Sequence, residues 1–278
     1  MKHLLLFLFI FMFLACEGDI GETPSSELVV EGWIEEGGHP TVLLSFTIPI
    51  KEEYTSFDSI GQYVIRWGKV SVSDGNQTVV LSGKYDAGYY PPFVYTSTSM
   101  IGVSGRSYTL EADFNGYHAT AVTTIPKSVA LDSVYSSPLG DNDTLRTVHA
   151  VFRTNVNEQR YFKLFTRSAT DGQQYFSSSM GILDAATLGS TADVPVYRGM
   201  KITNHEDYDS HFVVGDTVIV KLCTLDEQSY NYWKDWSNSE EFSANPLFGV
   251  TYNPRSNILG GVGYWCGYGQ SQRVIIIK

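Results

Sequence analysis

The sequence predicts a mainly β protein: an N-terminal immunoglobulin-like or transthyretin-like sandwich followed by a second β-rich domain with one short helix. Three observations carry this expectation. Segments of period two, rich in β-branched and aromatic residues, recur from Glu27 to the C-terminus. Two pairs of them meet at glycine-containing hairpin turns, Asp74-Gly75-Asn76 and Asn115-Gly116. A single stretch, opening at Asp226, has the N-cap and the spacing of a helix.

Taken in order, Leu28 to Ile34 and Thr41 to Ile48 are bounded by Gly and Pro and read as strands. Lys69 to Ser73 alternates cleanly and returns as Gln77 to Leu81, and Arg106 to Ala112 pairs in the same way with Tyr117 to Thr123. Strands this dense, with no helix between them, are the pattern of a sandwich. Ile125-Pro126 closes the block, because proline cannot donate within a paired central strand, and the domain boundary is placed near Lys127. Residues 27–126 are then one domain and 127–278 the next.

In the second domain, strands resume over Ser128 to Tyr135, Leu145 to Phe152 and Arg160 to Arg167. Gly172 to Tyr197 is polar and low in charge and reads as loops with at most one short strand or turn of helix. Thr217 to Cys223 is a strand after the Gly215-Asp216 turn. The helix is expected near 226–237; Tyr230 and Trp233 share a face that Trp236 extends, and that spacing predicts a face buried against the sheet. Gly261 to Gly267 and Arg273 to Ile277 read as the last strands. No repeat occurs at a solenoid or propeller period.

Residues 1–15 read as a signal peptide: Lys2 supplies the charge, and the apolar run from Leu4 to Leu14 is too short to span a bilayer permanently. Ala15-Cys16 at its end resembles a bacterial lipobox, in which the cysteine is acylated and becomes the new N-terminus; Phe13 stands where leucine is usual. Cys16 is the expected lipidation site, and several acyl chains on it would hold the protein on a membrane. Residues 16–26 form a polar tether. Its Glu17, Gly18 and Asp19 resemble the surface-export signal of Bacteroidota lipoproteins, which implies an outer-membrane lipoprotein facing the cell exterior.

Across 278 residues, 19 Lys+Arg stand against 30 Asp+Glu, a formal charge of −11. That balance, with no basic cluster, excludes binding to a phosphate backbone, so no nucleic-acid partner is expected. Three cysteines are too few for a disulfide scaffold. Cys223 and Cys266 fall on two expected strands of one domain, leaving open a disulfide or two buried thiols.

No segment carries a recognisable chemistry. His205 and His211 flank Glu206, Asp207 and Asp209, but they are six apart in an expected loop, without the helical spacing of a zinc protease. Gly260, Gly261, Gly263, Gly267 and Gly269 open no helix, as a dinucleotide fingerprint must. Gly102-Val103-Ser104-Gly105 has its second glycine one position too early for a nucleophile elbow. The expectation is a non-catalytic protein with no metal and no cofactor. Binding is instead expected at aromatic residues on loops at one end of the molecule rather than in a deep catalytic cleft: Tyr89, Tyr90, Phe93 and Tyr95 around Pro91-Pro92, with Trp265 and Tyr268 second.

The chain resembles a family of uncharacterised Bacteroidota lipoproteins bearing a domain of unknown function. The resemblance covers nearly the whole chain after Cys16. It rests on Leu28 to Ile34, Gly105 to Leu110, Ala119-Thr120-Ala121 leading to Ile125-Pro126, Gly215 to Val218 followed by Tyr230 to Trp233, and Ser256 to Gly263. Such proteins are often encoded beside TonB-dependent outer-membrane transporters. The resemblance therefore implies a binding or accessory partner of such a transporter, with no catalytic residues to carry over. The alternative is a structural or adhesive surface lipoprotein whose domains act as spacers; a surface hydrolase would need a deep cleft with paired carboxylates.

Overall fold

Period two in the sequence becomes a sheet with two unlike faces. In strand β1 (Leu28–Glu35) every second side chain is buried: Leu28, Val30 and Ile34 enter a core, while Glu31, Trp33 and Glu35 share the opposite face. The computed structural model describes residues 26–48, 61–155, 157–170, 174–199, 208–243 and 254–278.

The first unit is built from β1, β2 (Thr41–Phe46), β3 (Lys69–Ser73), β4 (Thr78–Tyr85), β5 (Phe93–Thr96), β6 (Ser107–Phe114) and β7 (Tyr117–Thr124). β4 joins two layers by changing partner midway, pairing with β3 through Leu81 and with β5 from Ser82. Between the layers lie Val30, Leu44, Val72, Leu110 and Tyr108, together with Trp265 from far along the chain. Trp265 is 0% exposed, and its indole N–H donates to the Tyr108 carbonyl at 3.0 Å.

The second unit contains β8 (Leu131–Leu139), β9 (Asn142–Arg153), β10 (Tyr161–Ser168), β11 (Phe176–Asp184), β12 (Thr191–Val196), β13 (Phe212–Val213), β14 (Thr217–Leu225), helix α1 (Glu227–Ser243) and β15 (Val262–Ile276). β8, β12 and β13 all pair with β9. Their core side chains, among them Phe152 and Val194, cluster with Phe162, Leu164, Val220, Leu222 and Ile277. Two β-rich units and, among the described residues, a single α-helix match the fold the sequence predicts.

β15 joins the two units. Its first part, Val262 to Tyr268, pairs in parallel with β1; its second part, Gly269 to Ile276, pairs antiparallel with β14. Division at residue 126 therefore needs a correction: Ile258 and Trp265 return to the first core. The sequence reading also splits β15 into two strands, because Gly267, Gly269 and Ser271 interrupt its apolar pattern. Those glycines answer to the polypeptide crossing beside them. A Cβ at Gly267 would lie 2.7 Å from the Thr124 carbonyl oxygen, and one at Gly269 would lie 2.2 Å from that of Pro126.

Two further differences have local causes. Residues 174–197 hold two strands, β11 and β12, around a 3-10 turn at Ala185–Thr187, where the sequence predicts loops with at most one short strand or turn of helix; β11 is serine-rich and owes its extended form to pairing with β10. Among the described residues β12 has β9 as its one sheet neighbour, and this edge position tolerates Pro195. Phe93 to Thr96, read as part of an inter-strand segment, is β5, inserted between β2 and β4.

Helix α1 starts as its N-cap predicts and runs beyond residue 237. Asp226 Oδ1 accepts from the Ser229 N–H at 2.8 Å. Among the described residues no helix is long and apolar enough to cross a membrane.

Candidate functional site

Because β15 carries one sheet into the other, the outward faces of β2, β1, β15, β14 and β10 merge. Tyr264 lies opposite Glu31, Cys266 opposite Trp33 and Tyr268 opposite Glu35. Lys221 and Cys223 of β14, with Lys163 and Phe165 of β10, continue the surface, since their neighbours Val220, Leu222, Phe162 and Leu164 point the other way into the second core. Above this floor opens a cleft of 1390 Å³. One wall is α1, through Tyr232, Trp233 and Trp236; the other is the segment Asp86 to Pro91 with Tyr175 and Phe176.

The walls are held by specific contacts. Trp233 Nε1 donates to Tyr268 Oη at 3.0 Å, and Phe165 packs edge-on against Trp233 at 5.4 Å. Across the cleft, the Tyr90 N–H donates to Gln174 Oε1 at 2.9 Å and the Gln174 N–H donates to the Gly88 carbonyl at 3.2 Å. These bonds join the first unit's loop to the second unit. Tyr89 lies 6.2 Å, ring to ring, from Trp33 on the floor.

Charge is distributed unevenly. Lys221 is buried and forms an ion pair with Glu35. Burial works to lower its ammonium pKa, but the Glu35 charge and hydrogen bond, together with Cys223 and Tyr175 beside it, outweigh that and leave it raised. Lys84 pairs with Asp86 at 3.1 Å. Glu31 has neither a hydrogen bond nor an ion pair among the described residues, and desolvation pushes its carboxyl above the usual range. Its charge adds to the burial that holds the Tyr232 and Tyr264 phenols well above their ordinary value.

The expected contact residues divide. Tyr89, Tyr90 and Tyr268 line the cleft. Tyr95 and Trp265 do not offer binding faces: both are core, and the Tyr95 hydroxyl donates to the Ile65 carbonyl at 2.8 Å. Phe93 packs half-buried against the same core, 5.5 Å from the Tyr95 ring. Pairing of β5 with β2 and β4 turns Phe93 and Tyr95 into the sandwich, and β15 carries Trp265 into the same core. The concavity that Tyr89, Tyr90 and Tyr268 line lies over sheet faces as well as beside the Asp86–Pro91 loop.

On the helix, Trp233 is buried as expected. Tyr232 takes the place assigned to Trp236, which is 39% exposed at the cleft, while Tyr230 stacks on Tyr161 at 4.0 Å. Sequence reasoning missed Glu31, Trp33, Tyr175, Tyr232 and Tyr264. The available signal was the second face of β1, where Glu31, Trp33 and Glu35 alternate with core residues; a tryptophan between two carboxylates is poor dressing for a plain solvent face.

Cys223 and Cys266 are free, buried thiols and not a disulfide. They share a face, but Cys223 stands opposite Gln270, so the register offsets them by about 13 Å of strand, beyond what a bridge can span. Burial pushes the Cys266 thiol up to about 12 and the Cys223 thiol higher still. Cys16, the preceding segment and His205 to Asp207 lie outside the described residues. His211 is described, with Nδ1 2.9 Å from Asp209 Oδ1. Among the described residues, no group of three His, Cys, Asp or Glu is placed to hold a metal ion.

Chemically the cleft offers aromatic faces, a few fixed charges and one unpaired carboxylate. Glu31 and Glu35 are about 13 Å apart along β1, with Trp33 between them and Glu35 committed to Lys221. The two are not arranged as an acid–base pair flanking one bond. The chain belongs to the DUF4249 family, a domain of unknown function, whose model matches residues 16–273. A comparison with curated proteins finds no match.

Proposed function

We propose that this protein is a non-catalytic, surface-exposed outer-membrane lipoprotein that captures a ligand in the interdomain cleft and serves a TonB-dependent nutrient transporter. The observation that carries the reading is the cleft itself. A concavity of 1390 Å³ whose floor and walls are dominated by Trp and Tyr has the size and surface of a binding site for an extended small molecule or short oligomer. Burial of both strand faces strengthens the argument. β14 is covered by the second core on one side, and on the other its Cys223 and Leu225 pack among the aromatic side chains of the floor, so the floor is rigid before any ligand arrives.

Acylation at Cys16 supplies the membrane partner, and the polar tether gives the domains reach. The alternative role, a structural or adhesive spacer, has no use for a preformed cleft. The test is affinity purification of cross-linked protein from native outer membranes, alongside a Cys16→Ser variant. Capture of a TonB-dependent transporter by the wild type, lost when the variant leaves the membrane, supports the reading. A membrane-anchored wild type that captures none favours the spacer.

A further inference from the structure

At its β10–β14 end the cleft already satisfies its aromatic faces with the protein's own cations. Lys221 Nζ lies 3.8 Å from the Tyr175 ring centre, Arg167 lies 5.1 Å from the same ring, and Lys163 Nζ lies 5.3 Å from Trp233. At the β1–α1 end the pattern reverses. Tyr264 and Tyr232 stand with ring centres 4.7 Å apart, and the Trp236 ring stacks on Tyr232 at 6.3 Å. No lysine or arginine among the described residues lies over Tyr232 or Tyr264. Among the described residues Glu31, registered opposite Tyr264, is the one carboxylate lining the cleft without an ion pair, since Glu35 is held by Lys221 and Asp86 by Lys84.

An unpaired carboxylate beside electron-rich rings is costly when the site is empty and becomes favourable when a positive charge enters. Ring quadrupoles attract such a charge, and the carboxylate completes it with a charge-assisted hydrogen bond. We propose that the Glu31–Tyr232–Tyr264 end of the cleft is a subsite for an organic cation, an ammonium or guanidinium group borne by the captured ligand. A metal ion is a poor fit, since one carboxylate among phenol rings lacks the oxygen ligands that hard cations require. A neutral sugar would use the ring faces and donate hydroxyl hydrogens to Glu31, but it would bring no charge to offset the carboxylate. The inference rests on the capture reading and narrows it to basic ligands.

Titration calorimetry on the full-length protein in detergent tests it. The probes are a blocked Gly-Gly-Lys-Gly-Gly peptide, the same peptide acetylated on its lysine, and spermidine as a free-amine arm. The wild type is expected to bind the charged peptide, spermidine or both, and to bind the charged peptide about tenfold more tightly than the acetylated one if peptides are accepted. Glu31→Gln should abolish binding of the cation or its preference, while Trp236→Ala, at an exposed position, should weaken the cation and keep the fold. Preference for the peptide assigns the subsite to basic peptides; binding of spermidine alone assigns it to polyamines. Binding of charged and acetylated peptide alike, a preference that survives Glu31→Gln, or no binding of any cation overturns the inference. Retention of a neutral ligand by wild type and Glu31→Gln alike would overturn it too, yet leave the capture reading standing.

Discussion

The Thr123 hydroxyl donates to Asp226 Oδ2 at 2.8 Å, which ties the last strand of the first sandwich to the N-cap of the helix that walls the cleft. The same carboxylate oxygen accepts from the Thr124 N–H at 3.2 Å, and Thr123 Oγ1 accepts from the Gly267 N–H at 2.8 Å. One aspartate therefore caps α1 and locks it to both units. Asp226→Ala should cost about 2 to 4 kcal/mol, more than a cap alone, because it also leaves Thr123 and Thr124 donors unpaired. In a double-mutant cycle by urea denaturation, Asp226→Ala and Thr123→Val should couple by about 1 kcal/mol or more. Simple additivity would mean that the two units dock without this bond.

Glu31 predicts a pH-dependent stability. Its folded pKa is raised, so the native state holds the proton more tightly than the unfolded chain does. Its contribution is most favourable below the unfolded value of about 4.3 and is lost as pH rises through the folded pKa. Glu31→Gln should therefore raise the melting temperature at pH 7, and the gain should shrink towards nothing as pH falls below about 4. Scanning calorimetry at both pH values checks this; an equal effect at each would show that the carboxylate is not penalised by its site.

The aromatic segment divides into binding and packing residues. Tyr89→Ala removes a cleft face and should move stability by less than about 1 kcal/mol, whereas Phe93→Ala opens the first core and should cost about 2 to 3 kcal/mol. Trp265→Ala should be worse, at about 3 to 5 kcal/mol. Chemical denaturation of the three variants ranks them. A large loss for Tyr89→Ala would make that ring core.

The thiols give an independent check on the second unit. With Cys16 replaced by serine, Ellman's reagent should find no reactive thiol in the native protein and two after denaturation, with or without prior reduction. Thiols that appear only after reduction would restore the disulfide.

How much was legible in the sequence follows from where each element gets its stability. Hairpins β3–β4 and β6–β7 carry their own turn residues and alternate locally, so both were readable. α1 was readable from Asp226, a local cap. β11 was not, because Phe176 to Asp184 is extended only through its pairing with β10. The cleft was least legible of all. It exists because β15 lies beside β1, more than 200 residues earlier in the chain, which turns Glu31, Trp33, Tyr264 and Tyr268 into one surface. No local period encodes that neighbourhood.

Capture in the cleft is tested most directly by mass spectrometry of the small molecules that remain bound when the protein is purified from its native membrane. Wild type and a Trp33→Ala/Tyr89→Ala variant would be compared at matched folding, since both rings face the cleft and neither belongs to a sandwich core. A molecule retained by the wild type and lost from the variant is the expected result. Identical profiles from the two proteins would contradict the assignment of binding to this cleft.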